Sequence, residues 1–93
     1  MYVCMMEYRV KEECRDEYLA WVEEVGRLEP QPLLYEGTDQ QGLFVEIWPA
    51  ESEQSAHRIQ DAARAGEAPW SKLPLWVNGK INAWSFRQIN AKI

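Results

Sequence analysis

His57 is the only histidine in 93 residues, so it is the one side chain whose ordinary pKa lies near neutrality. On the wall of a pocket it would act as a general base toward a phenolic or enolic hydroxyl. Tyr8, Glu46, Trp48, Asn82 and Trp84 are the expected ligand-pocket residues around it. Their types suit a small-molecule cavity, with apolar walls and a few polar anchors. Tyr35 and Arg87 are weaker candidates. The competing reading keeps His57 structural, partly buried on a helix and hydrogen-bonded to Glu46 or to backbone. Cys4 and Cys14 each fall on an apolar stripe and read as small core residues, not nucleophiles. One histidine and two distant thiols make no four-ligand site, so no metal is expected. No cofactor is expected either.

The elements that must carry these residues can be read from periodicity. Residues 2–10 form a strand with Tyr2, Cys4, Met6, Tyr8 and Val10 on one face. Its other face, Val3, Met5, Glu7 and Arg9, is also apolar near the start, so both faces need cover. Residues 11–28 form a helix, with Cys14, Tyr18, Trp21, Val22, Val25 and Leu28 at steps of three and four. Its acids lie opposite that stripe and read as solvated. Pro30 and Pro32 stop the helix. Residues 33–38 and 43–48 form a hairpin around Gly42, and Pro49 is expected to end its second arm. Ser52 is the expected N-cap of a helix from about Glu53 to Ala65, closed at Gly66. Its apolar residues are modest: Ala56, Ile59, Ala62 and Ala63. Residues 67–78 are irregular and apolar, a lid over the core or a loop closing a pocket or a dimer. Residues 80–89 form the last strand, with Asn82, Trp84, Phe86 and Gln88 on one face.

Strand, helix, strand, strand, helix, strand is the split βαβ, ferredoxin-like α+β arrangement. Right-handed crossovers place both helices on one face of an antiparallel sheet. Five Trp, four Tyr and two Phe are more than a thin two-layer core can hide. Face-to-face pairing of two such sheets in a homodimer is the simplest cover. The chain is read as a single domain over residues 1–93.

The net charge of −5 argues against a nucleic-acid module, which needs a basic footprint. Acids dominate residues 1–29, whereas only Lys72, Lys80, Arg87 and Lys92 are charged after Glu67. No apolar run is long enough to span a membrane. Two cysteines without a secretory signal point to the cytoplasm.

The stretch from Glu46 through Trp48 to Ala56-His57 carries a family resemblance. It has an acid, one residue, then an aromatic at the end of the third strand, and Ala-His follows in the next helix with the histidine nine residues after the aromatic. In this the chain resembles the dimeric α+β barrel superfamily, and within it the antibiotic biosynthesis monooxygenase-like proteins. The resemblance implies two subunits pairing their sheets into a dimeric α+β barrel. It departs from that pattern in having no second histidine after His57. It also lacks the strand-one Asn and the later His of the heme-degrading branch, which argues against heme degradation.

Two functions remain open. One is a cofactor-independent small monooxygenase acting on an aromatic or polyketide-like substrate, in which His57 makes an electron-rich anion that reacts with oxygen. The other is a non-catalytic dimeric module that binds a small hydrophobic or aromatic ligand in a stress or regulatory role. The first requires a closed cavity at the dimer with His57 on its wall. The second predicts a cavity without a base, or one filled by Trp and Met side chains.

Overall fold

The computed structural model describes residues 1–90; Lys92 lies outside them. The elements are β1 (Tyr2–Arg9), α1 (Arg15–Val25), β2 (Leu33–Glu36), β3 (Leu43–Ala50), α2 (Glu53–Arg64), a one-turn α3 (Leu73–Trp76) and β4 (Asn82–Arg87). One 3₁₀ turn, Glu12–Cys14, precedes α1. The strands make one antiparallel sheet in the order β2-β3-β1-β4. This is the expected βαββαβ ferredoxin-like fold, with the short α3 added before β4.

Alternation along each strand divides the sheet cleanly. Cys4, Met6 and Tyr8 of β1 are buried, as are Phe44, Glu46 and Trp48 of β3 and Ala83 of β4. The register puts Met6 between Glu46 and Ala83 on this face, against which the helices lie. From α1, Tyr18, Trp21 and Val25 are buried over the β2–β3 half, where the Tyr18 ring meets Phe44 at 4.4 Å. From α2, Ala56 and Ala63 are buried. Arg64 and Gln60 on that helix bond Ala83 O and Ser85 Oγ of β4.

No helix of the described residues lies on the opposite face. Across all four strands, Leu33, Ile47, Met5 and Trp84 stand side by side in one apolar row. A second row holds Pro49, Val3 and Phe86. Leu33, Tyr35, Trp84 and Phe86 are each about half exposed (46–55%).

β2 and β4 are shorter than the expected 33–38 and 80–89, and two further boundaries differ from expectation. β3 continues through Pro49 to Ala50 and pairs there with Val3 and Tyr2. The β2 pairing ends at Ile47, so Pro49 sits where one side of the strand is already an edge, a setting that tolerates a missing donor. The expected helix over 11–28 is α1 plus the 3₁₀ turn, and Leu28 is exposed. The α2 expectation holds: Ser52 Oγ accepts from Ser55 N–H at 3.0 Å. Gly66 closes α2 at φ 73°. Its N–H donates to Ala63 O and that of Glu67 to Ala62 O, the Schellman arrangement that favours glycine in the left-handed region.

Candidate functional site

Between the helices and the sheet, β3 places Glu46 at 0% exposure. A buried carboxyl is costly unless its oxygens are bonded. Here both are. Glu46 Oε1 accepts from Trp48 Nε1 at 2.7 Å and from Trp70 Nε1 at 3.0 Å. Glu46 Oε2 is hydrogen-bonded by the Tyr8 hydroxyl. The Tyr8 and Tyr18 hydroxyls are 2.8 Å apart and extend the chain of polar groups to α1. Among the described residues no buried side-chain nitrogen or oxygen lacks a partner.

Burial raises the Glu46 pKa above the ordinary carboxylate range, and the bonds from Tyr8, Trp48 and Trp70 oppose that rise without cancelling it. The Tyr8 hydroxyl is also raised, by burial and then by the neighbouring Glu46 charge. Cys4 lies on the same face with its thiol pushed up to about 11, by burial first and then by Glu46. That keeps it a thiol and a poor nucleophile.

The network is packed tightly. Trp48 and Trp70 meet edge to face at 5.1 Å. Tyr18 meets Tyr8 at 5.8 Å and Trp76 at 6.3 Å, both edge to face. Met6, Leu73 and Trp21 complete this layer. The residues from 65 to 72 cover it, and Trp21 Nε1 donates to Pro69 O at 2.8 Å to hold that cover.

The residues named from sequence divide into three groups. Tyr8, Glu46 and Trp48 come together as described. Trp84 and Asn82 lie on the opposite face, facing Met5 and Glu7 in the register. The expected single pocket of these five is therefore corrected: the thickness of the sheet separates Trp84 from the other aromatics. Tyr8 and Asn82 do both border a polar groove of about 290 Å³ at one end of the sheet, with Glu7, Arg9, Asn78 and Lys80.

His57 is exposed. It borders a shallow groove of about 280 Å³ with Tyr2, Glu53, Ser85, Phe86 and Arg87. The expected bond to Glu46 is corrected, since the Glu46 oxygens are taken by Tyr8, Trp48 and Trp70, and within the single chain His57 is not enclosed. The phase of α2 explains this. Ala56 and Ala63 are seven residues apart and face the sheet, so His57, one position on, is rotated by about 100°. Of the weaker candidates, Tyr35 lies on the helix-free face and Arg87 borders the His57 groove.

Sequence reasoning missed Trp70. Its signal was a tryptophan inside an apolar loop, a residue whose N–H needs a partner when buried. It also missed a groove of about 860 Å³, where α2, the end of β3 and the segment after α1 meet. Met1, Pro30, Pro49, Ala50 and Ile59 are its apolar groups, and Glu51, Ser55 and Arg58 its polar ones. Among the described residues no three His, Cys, Asp or Glu side chains cluster as metal ligands. No described helix is long and apolar enough to cross a membrane.

No protein-family model matches the chain, and no curated protein matches it in sequence. Solved structures do. A candidate antibiotic biosynthesis monooxygenase from Deinococcus radiodurans superposes with a TM-score of 0.74 at 13% identity, covering 100% of this chain and 97% of that one. A candidate antibiotic biosynthesis monooxygenase from Nitrosomonas europaea gives 0.69 at 16% identity, over 97% of this chain and all of that one. A third antibiotic biosynthesis monooxygenase gives 0.66 at 20% identity, over 97% and 100%. The chain therefore has the antibiotic biosynthesis monooxygenase-like fold, as its sequence resemblance implied.

Proposed function

We propose that the chain is a non-catalytic homodimeric module that binds a small, largely apolar molecule. The observation that carries this reading is the 860 Å³ groove between α2 and the end of β3. Its volume lies within the range of ordinary ligand sites, and apolar walls with a few polar groups are the usual lining. Arg58 and Ser55 suit a ligand with an acidic head and an apolar body. The helix–sheet interior, where an enclosed substrate would sit, is filled by Tyr18, Trp21, Trp48, Trp70 and Met6. The apolar rows on the helix-free face support pairing with a second copy. Two free cysteines fit a reducing compartment, the cytoplasm.

Thermal-shift screening with small aromatic and aliphatic acids tests this, because a ligand of the native state raises the midpoint. A binder is expected, and Arg58→Glu should weaken it about tenfold, the scale of one lost charge contact. If no such acid raises the midpoint, or Arg58→Glu binds as well as the parent, the groove is not the site.

The second reading is cofactor-independent oxygenation of an aromatic or polyketide-like molecule. The fold shared with structures described as antibiotic biosynthesis monooxygenases favours it. In this chain the base would be His57, and a partner subunit would have to enclose the groove that it borders with Tyr2, Ser85 and Arg87. Oxygen uptake with electron-rich phenols is the assay. On this reading His57→Ala lowers the rate at least 100-fold, the scale of a lost general base; equal uptake by both proteins rules it out.

A further inference from the structure

Among the described residues, Trp70 is the one partner of Glu46 that comes from outside regular secondary structure. Tyr8 is on β1, Glu46 and Trp48 are on β3, and Tyr18 is on α1. Those four belong to the framework of the fold. Trp70 belongs to the turns between α2 and α3, and its N–H reaches the shared Oε1 over 24 residues of sequence.

Those turns are thinly held. Outside Trp70 itself, the side-chain bond to the body is that from Trp21 Nε1 to Pro69 O. The rest are backbone bonds between residues close in sequence: Gly66 N–H to Ala63 O and Glu67 N–H to Ala62 O at the end of α2, then Trp70 N–H to Glu67 O, Leu73 N–H to Trp70 O and Leu75 N–H to Lys72 O. Gly66, at φ 73°, joins the segment to α2. On its outer side a groove of about 380 Å³ runs between it and α1, bordered by Val25, Leu28, Pro69 and Lys72. The segment thus has open space on one flank and the buried carboxyl on the other.

The contacts of the Trp70 indole are those of a bound aromatic ligand. One ring N–H points at a buried carboxyl oxygen, and the ring lies edge to face against Trp48. An apolar side chain would fill the same volume without placing a carboxyl in the core, so the polar pairing selects for a donor at this point and not merely for bulk.

We propose that the Trp70 position is a second ligand site, held shut by the chain's own indole, and that it accepts planar aromatic molecules carrying a ring N–H donor. Glu46 Oε1 accepts the donor, Trp48 packs against the ring in an edge-to-face pair, and the 65–72 segment swings out on Gly66 to admit the molecule. This site is distinct from the groove at Arg58 and does not depend on it.

Indole is the probe, with 1-methylindole as its donor-free counterpart. In the wild-type protein, the indole N–H resonance of Trp70, assigned by its loss in Trp70→Phe, is followed during titration with indole. It is expected to leave the position of a carboxyl-bonded N–H and approach that of a solvent-exposed one. Trp70→Gly, with no plug to displace, is expected to bind indole at least tenfold more tightly than wild type. The difference reports the closing equilibrium, because affinity falls by the fraction of molecules that are open. The same variant should bind 1-methylindole at least tenfold more weakly than indole. An unmoved wild-type Trp70 resonance at indole concentrations that saturate Trp70→Gly overturns the proposal, as does equal affinity of that variant for the two probes. Should Trp70→Gly not fold, titration of the wild type to the solubility limit of indole decides alone, and an unmoved resonance there overturns the proposal.

Discussion

Glu46→Leu is expected to lower the stability of the native state by about 3–5 kcal/mol, because two indole N–H groups lose their acceptor in a dry interior and each unsatisfied donor costs roughly 1–3 kcal/mol. Tyr8 keeps Tyr18 as a partner, so its hydroxyl adds less. Glu46→Gln should cost far less, about 1 kcal/mol. Its amide oxygen still accepts from Trp48 and Trp70, and its amide N–H donates to Tyr8. The pair also isolates the titration. The Glu46 pKa is raised on folding, so the native state holds its proton more strongly than the unfolded chain. The sign follows from that: the contribution is full below the unfolded value of about 4.5 and is lost as pH rises through the folded one. Stability relative to Glu46→Gln should therefore fall as pH rises above about 4.5. Glu36 works in the other direction and in another window. Hydrogen bonds from Arg15 and from Gly42 N–H hold its pKa down to about 2, so its contribution is intact above about 4.5 and is lost as pH falls through about 2. Urea unfolding at fixed protein concentration, from pH 4.5 to 8, reads the Glu46 effect alone. A flat difference between wild type and Glu46→Gln over that range would mean that the carboxyl carries no folding-linked proton.

If the proposed face-to-face dimer forms, Ile47→Lys is expected to convert it into a monomer. Ile47 sits inside the row Leu33, Ile47, Met5, Trp84, at the centre of the face with no helix. A two-fold interface over this row would bury the introduced lysine twice. At roughly 2 kcal/mol for each ammonium left without a partner, the dissociation constant should rise about 1000-fold. Sedimentation equilibrium of both proteins at micromolar concentration reads this. Wild type sedimenting at the mass of one chain would refute the face-to-face pairing. Phe86→Lys, at the edge of the same face, should weaken the dimer less, since rim positions are incompletely desolvated.

Much of the fold was legible because its signals are local. The helix period of α1, the cap at Ser52, the stop at Gly66 and the alternation of β1 and β3 all depend on residues a few positions apart. Even the exposure of His57 was within reach. Placing Ala56 and Ala63 against the sheet turns the intervening His57 away from it, and the resemblance to Ala-His in other proteins drew attention to the residue itself and away from its phase. The strand extension through Pro49 was less accessible, because it depends on where the neighbouring strand β2 ends.

The sequence by itself determined the order of elements, the antiparallel ferredoxin-like sheet and the apolar character of both its faces. It also determined that Glu46 and Trp48 share one face, since residues two apart on a strand must. The tertiary structure alone decided what that face meets. Trp70 reaches Glu46 from a loop with no periodicity of its own, and Asn82 and Trp84 turn away because the register of β4 against β1 pairs them with Glu7 and Met5. Register and loop path come from contacts between distant segments, and a buried carboxyl takes its proton affinity from every group that closes around it.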